Sequence, residues 1–308
     1  MIAAASPRWV GRSRENTRMK IPLDKNLGAG DKRRAFRLLL AGDACVRAAT
    51  MFDPLSALAA QEIGYQVGIL AGSIASLSVL GAPDISLLTL GELVEQARRV
   101  CRVSNLPLLV DGDHGYGNAL NVRRTVTELE AAGVAAVSVE DTLLPAAFGA
   151  GDTARLISVA EIAAKLRAAV EARVDPAFVI VGRTHAGLVR DRTDLLERQR
   201  ALQDAGIDAL FITGLRDPAD LDALADAATV PLVLGSAVPG MDVAAMAARK
   251  VRICLQGHEA FYQGLKAVYA NLAQLHLGRD TSGNDALALG KRLSRAELHA
   301  KWTQEFLR

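Results

Sequence analysis

Aromatic residues are scarce in this chain: seven Phe, four Tyr and two Trp make up 4% of 308 residues. Stacked recognition of nucleobases needs such platforms, and their shortage argues against nucleic acid as a partner. No charge of one sign dominates either. The 36 Lys and Arg stand against 34 Asp and Glu, and a net charge of +2 creates no field that would draw the chain to a polyanion. No apolar run approaches the roughly 20 residues that cross a bilayer, and the first residues lack the apolar core and cleavage site of a secretory signal. Cys45, Cys101 and Cys254 are an odd, widely spaced set. They read as reduced, buried thiols of a soluble cytoplasmic protein, not as a disulfide framework. A dinucleotide-binding fingerprint is also missing, because Gly28-Ala29-Gly30 follows no strand.

What the chain does have is hydrophobic residues, half of the total, enough for a large core. They fall into short runs that alternate with amphipathic segments. Eight strands are expected, at 45–51, 65–71, 106–110, 135–139, 177–181, 209–213, 231–235 and 251–256. Helix caps separate them. Asp53-Pro54 and Asp217-Pro218 pair a cap with Pro at the first helical position, and Thr89 with Glu92 and Ser158 with Glu161 have capping-box spacing. Ala132-Gly133 and Ala205-Gly206 mark helix ends. Strands nearly continuous in Val, Ile, Leu and Ala suit a parallel sheet buried on both faces. Eight such units predict a closed (β/α)8 TIM-type barrel over residues 31–276, after a flexible basic leader over 1–30 and before a helical extension over 277–308.

In such a barrel the C-terminal strand ends open onto one mouth, where the chemistry collects. The polar residues at those ends are Gly72 and Ser73, Asp84, Asp111 and Asp113, Glu140, Arg183 and His185, Ser236, and His258. Four carboxylates meeting there would repel one another unless a cation sat among them, and hard oxygen donors select Mg2+, with Mn2+ as the alternative. Because Mg2+ keeps several waters, Asp111 is the expected direct ligand, with Asp84, Asp113 and Glu140 holding metal-bound water. The plainer alternative is that Asp113 and Glu140 cap helices or pair with Arg123 and Arg124. Arg183 suits a clamp on a substrate carboxylate, or a structural ion pair with one of the acids. The Gly72 and Ser73 amides suit the other end of an anionic substrate, unless these small residues only pack. His258, at a helix start, is expected to stay neutral and to contact substrate, or else to be a plain cap. His114 and His185 raise a weaker possibility of zinc or iron, without the paired spacing such sites use.

Taken together, Gly81-Ala82-Pro83-Asp84, the run Asp111 to Asn118, Ser138-Val139-Glu140-Asp141 and Gly182-Arg183-Thr184 resemble the isocitrate lyase and phosphoenolpyruvate mutase superfamily over nearly all of residues 31–275. The resemblance implies a barrel whose last helix is exchanged between subunits, commonly in a dimer of dimers, with Mg2+ and an α-keto carboxylate bound. It implies Asp111 on the metal, Asp84, Asp113 and Glu140 on its waters, Gly72 and Ser73 on the substrate carboxylate, and Arg183 on the substrate. The loop after the fourth strand reads Leu143-Leu144-Pro145-Ala146-Ala147-Phe148-Gly149 and lacks the Lys-Lys-x-Cys-Gly-His segment of the isocitrate lyases. With Phe52-Asp53-Pro54 and Gln256-Gly257-His258, it looks like the bacterial oxaloacetate decarboxylase branch. That branch implies Mg2+-dependent loss of CO2 from oxaloacetate, or a close β-keto acid, to give pyruvate through a metal-held enolate, with His258, Arg183 and Asp113 as catalytic residues. Two departures stand out: Ser236 where the branch tends to show Tyr, and His185 where Asn or Asp usually follows Arg-Thr. Other readings are carbon–carbon cleavage or hydrolysis of a substituted malate or oxaloacetate, phosphonopyruvate chemistry, or a metabolite-binding barrel without turnover. Gly149-Ala150-Gly151 is expected to let a loop close over the site.

Overall fold

The computed structural model describes residues 27–149 and 154–307. Ala150 and Gly151 of the expected loop, and most of the expected leader, lie outside the described residues. Eight strands close into a parallel barrel in sequence order: β1 (Val46–Thr50), β2 (Gly68–Leu70), β3 (Leu108–Asp111), β4 (Ala136–Glu140), β5 (Val179–His185), β6 (Ala209–Thr213), β7 (Leu232–Leu234) and β8 (Val251–Leu255). Each expected strand is present. The boundary that moved most is that of β5, which carries Arg183 and His185 within the strand rather than after it. Asp111 and Glu140 are likewise the last residues of β3 and β4.

Helices α1 (Ala29–Ala41), α2 (Pro54–Ile63), α3 (Gly72–Ala75), α4 (Leu90–Val103), α5 (Ala119–Ala131), α6 (Val159–Ala172), α7 (Arg192–Asp204), α8 (Pro218–Ala227), α9 (Val243–Ala248), α10 (Glu259–Leu277), α11 (Ala286–Leu293) and α12 (Ala296–Phe306) accompany the strands. Asp53 and Asp217 cap α2 and α8 with Pro at the first position, and Thr89 and Glu92 form a reciprocal box. Ser158 accepts from the Glu161 amide but the return bond is not formed, so that pair is a cap and not a full box. Asn118 and Asn121 form a box that the Ser/Thr-x-x-Glu pattern does not reveal.

Two apolar layers result. Ala57, Leu93, Val122, Leu129, Ile162, Leu166 and Leu221 seal helices onto the outside of the strands. Inside the barrel, Ile69, Leu109, Val181, Phe211, Val233 and Leu255 fill the lumen, and Phe36 and Leu40 of α1 plug its N-terminal end. α1 therefore starts inside the stretch expected to be leader. Its basic residues explain the placement: Lys32 donates to the Cys101 carbonyl (2.6 Å), Arg33 to those of Val134 (3.1 Å) and Glu130 (2.5 Å), and Arg37 to that of Ala177 (3.1 Å). These bonds anchor α1 to carbonyls of the barrel floor. With the floor closed, the opposite end is the mouth.

The three cysteines are free and buried. Among the described residues no helix is long and apolar enough to cross a membrane. α11 packs on α10, with Gly290 so close to Tyr262 that an added Cβ would lie 2.8 Å from Cε1. α10 leaves Val268, Leu272 and Leu275 exposed.

Candidate active site

At the mouth lies a cavity of about 290 Å³ whose floor is the top of the lumen core, Ile69, Phe211 and Leu255. Its polar wall holds Ser73, Asp84, Asp111, Asp113, Glu140, Arg183 and His258. Strand register explains the meeting. Asp111 pairs with Ser138 across β3 and β4, and Glu140 pairs with Arg183 across β4 and β5. Alternation then turns Asp111, Ser138, Glu140 and Arg183 to the same inner face. Ser138 Oγ donates to Asp111 Oδ1 (3.0 Å). Arg183 Nη1 donates to Asp111 Oδ2, its Nε stands 3.0 Å from Glu140 Oε2, and its guanidinium lies 5.3 Å over the Phe211 ring. The structural ion pair considered for Arg183 is therefore part of the geometry.

The turn after β3 is held as tightly. A Cβ on Gly112 would lie 2.8 Å from the Ser138 carbonyl oxygen, so only glycine allows β3 and β4 to approach there. Asp113 adopts φ 46° and Tyr116 φ 61°. Such left-handed backbone costs on the order of 1–3 kcal/mol at a residue with a side chain and persists where the surroundings impose it. Here the Asp113 carbonyl accepts from the Glu140 amide (2.8 Å), and Lys165 Nζ, buried on α6, donates to the carbonyl of His114 (2.9 Å).

Four carboxylates against one guanidinium make a strongly acidic pocket. Burial, reinforced by Asp111, Asp84 and Glu140, raises the Asp113 carboxyl well above the usual carboxylate range. Burial and Asp111 raise Asp84. Glu140 is pushed up to about 7, chiefly by burial, although Arg183 pulls the other way. Arg183 is held charged, since attraction to Asp111 and Glu140 outweighs the cost of burying it. These shifts record an unmet demand for positive charge, and the donors are all hard oxygens, so the pocket fits a divalent cation. Among the described residues no three His, Cys, Asp or Glu side chains already form a cage for an ion.

Arg123 pairs with Glu171 and Arg124 with Glu128, so neither engages Asp113 or Glu140, and the helices that follow these acids are capped by Asn118 and Ser158 instead. Gly72 and Ser73 open the short helix α3, where first-turn amides have no partner within the helix. Gly72 has a second role: a Cβ there would lie 2.6 Å from Asp113 Oδ1. His258 stands at the N-cap position of α10 without a side-chain cap bond, so it is not the plain cap considered for it, and it lines the cavity. Its imidazole is lowered in pKa, as expected, but through burial, with Asp111 opposing. His114 and His185 are not among the cavity residues, nor is the exposed Ser236; Gly235 is. His185 Nδ1 instead accepts from the Gly187 amide (3.0 Å).

Sequence reasoning missed Thr50, the last residue of β1. Its hydroxyl donates to the Gly257 carbonyl (3.1 Å) and lies 3.2 Å from His258 Nδ1. The one hydroxyl proton can serve either acceptor, so Thr50 holds the imidazole in place and both ring tautomers fit this contact. Thr142, Phe211 and Thr213 also line the cavity. Applying the strand-end rule to every strand would have found Thr50 and Thr213.

The family model described as phosphoenolpyruvate phosphomutase matches residues 36–276 of the chain. The chain belongs to this family. An oxaloacetate decarboxylase of Rhodopseudomonas palustris (strain BisA53) is 47% identical over 283 residues, covering 90% of this chain and 97% of the relative. Among solved structures, an oxaloacetate acetylhydrolase in complex with the inhibitor 3,3-difluorooxalacetate is similar at TM-score 0.73 and 25% identity, covering 90% of this chain and 97% of that one. A phosphonopyruvate hydrolase complex with oxalate and Mg2+ is similar at TM-score 0.71 and 28% identity, covering 90% and 99%.

Proposed function

We propose that this protein decarboxylates oxaloacetate, or a closely related β-keto acid, to pyruvate and CO2 in a Mg2+-dependent reaction. The observation that carries the reading is the gathering of Asp84, Asp111, Asp113, Glu140, Arg183 and His258 around one cavity, in a chain 47% identical to an oxaloacetate decarboxylase over 90% of its length. Asp111 would hold the ion directly, with Asp84, Asp113 and Glu140 on its waters. Bound Mg2+ supplies Lewis acidity at the C2 carbonyl, where negative charge develops, an effect worth several kcal/mol.

The remaining tasks fall to the chain. The Gly72 and Ser73 amides bind the C1 carboxylate, and Arg183, paired with Asp111 and Glu140, balances the charge of the dianionic substrate. His258 orients the C4 carboxylate. When the C3–C4 bond breaks, CO2 leaves, the electron pair moves toward C2 and its oxygen, and C3 must then gain a proton. A proton carried on the His258 imidazole, which Thr50 holds in place, can supply it, and the ring then takes a proton back from solvent. The apolar floor of Ile69, Phe211 and Leu255 restricts water.

Cytoplasmic location, supported by three free buried thiols, and a homo-oligomer that exchanges its last helix, supported by the exposed apolar face of α10, belong to the same proposal. A second reading, hydrolysis of oxaloacetate to oxalate and acetate, is favoured by the likeness to the acetylhydrolase. Product analysis separates the two. Pyruvate with CO2 supports decarboxylation, whereas oxalate with acetate replaces it.

A further inference from the structure

Behind the cavity wall lies a second charged cluster that touches no cavity space. Asp141 is fully buried beside Glu140, and Arg198 of α7 is 10% exposed. Arg198 Nη1 donates to Asp141 Oδ2 (3.0 Å) and to the Ile157 carbonyl (3.1 Å), while its Nε lies 3.3 Å from Asp194 Oδ1 on the same helix. Thr184 Oγ1 donates to Asp141 Oδ2 (2.8 Å). The backbone repeats the connection, because the Ile157 amide donates to the Asp141 carbonyl (2.8 Å), the Asp141 amide to the Arg183 carbonyl (3.3 Å) and the Leu143 amide to the Arg155 carbonyl (2.8 Å). Thr142 and Leu156 form an antiparallel bridge.

One buried pair thus ties three segments together: Arg198 joins the residue after β4 to the lead-in of α6, and Asp141 joins the end of β4 to Thr184 of β5. The residues next to its partners are the ones that face the cavity. Glu140 and Thr142 flank Asp141, and Arg183 precedes Thr184. Burying a charged pair contributes little net stability over an apolar pair of the same shape, so its cost is justified by what it fixes in place. Arg198 reaches Asp141 and Ile157 through Nη1 while its Nε faces Asp194, two nitrogens set apart by the rigid guanidinium plane that the single ammonium of Lys cannot match.

We infer that Arg198 is a positioning residue, which through Asp141 and Ile157 sets where Glu140, Thr142 and Arg183 stand and so sets the affinity of the cavity for its divalent ion. The inference rests on the decarboxylase reading for the metal but not for turnover.

The test compares the full-length protein with Arg198→Lys and with the double variant Asp141→Asn/Arg198→Met, which leaves no unpaired charge at position 141. Backbone hydrogen exchange and calorimetric titration with MgCl2 are the readouts. At least tenfold faster exchange at Leu143 and Ile157 is expected, with β1 and β8 unchanged, together with at least fivefold weaker Mg2+ binding in both variants. A merely structural pair would lower the melting temperature and leave Mg2+ affinity as it was. Either variant, folded, with wild-type exchange at Leu143 and Ile157 and wild-type Mg2+ affinity overturns the inference. Should the wild-type protein bind Mg2+ but form no pyruvate from oxaloacetate, the functional reading fails and these two measurements still decide the role of Arg198.

Discussion

The carboxylate of Asp113 occupies the space that a side chain on Gly72 would need, with an ideal Cβ falling 2.6 Å from Oδ1 and 3.0 Å from Oδ2. The end of β2 and the turn after β3 are fitted to each other through a missing atom. Gly72→Ala should push Asp113 out of place, costing about 1–3 kcal/mol of stability as overpacking does. It should also lower kcat/KM for oxaloacetate by at least tenfold. Thermal melts and steady-state kinetics check both, and a variant with wild-type kinetics would remove Asp113 from the proposed machinery.

Glu140 links pH to stability. In the unfolded chain its carboxyl loses its proton near 4.5, but in the folded protein near 7. Between those values the folded state holds the extra proton, so its contribution to stability is full below pH 4.5 and is lost as pH rises through 7. Metal-free protein should therefore show a falling contribution from this group over pH 4.5–7, and Glu140→Gln should flatten it. Stabilisation by Mg2+ should grow over the same window, since the ion favours the ionised carboxylate. Melting curves with and without MgCl2 at pH 5, 6, 7 and 8 measure both trends.

Removing Arg183 leaves Asp111 and Glu140 buried without their cation. Breaking a buried pair from one side typically costs about 3–5 kcal/mol. Arg183→Met should lose about that much in metal-free protein and recover part of it on adding MgCl2. Activity should not recover, and a denaturant titration with and without the ion tests the stability claim.

His258 and Thr50 make a paired prediction. Loss of a general acid–base group lowers rates by about 10²–10⁴-fold, and His258→Ala should fall in that range with Mg2+ affinity preserved. Thr50→Val should cause a smaller loss of kcat by loosening the hold on the ring. Because burial lowers the imidazole pKa, the basic limb of this group should already be complete at neutral pH, and activity should drop only in more acidic solution. Full turnover by His258→Ala would contradict its role.

Strand content and order were legible because parallel strands buried on both faces leave uninterrupted Val, Ile and Leu runs. The ends were less so. Arg183 and His185 read as the start of a loop because polar residues normally terminate such runs, yet β5 continues through them, paired with Phe211 and Thr213 of β6. Asp84 and His258 could be placed at the mouth because each follows a strand in a barrel whose ends share one face. α1 escaped notice because its basic side chains serve floor carbonyls contributed by distant segments, a relation no local pattern encodes. The same holds for Arg198 and Asp141, 57 residues apart, and for Thr50 and His258, 208 apart.

The most direct measurement follows pyruvate and CO2 released from oxaloacetate by purified protein with MgCl2, against the reaction promoted by the free ion. Turnover well above that background is expected, abolished by a chelator, restored by Mg2+ and lost in Asp111→Asn. Turnover that survives chelation or the Asp111 substitution, or no turnover above the free ion, would contradict the account.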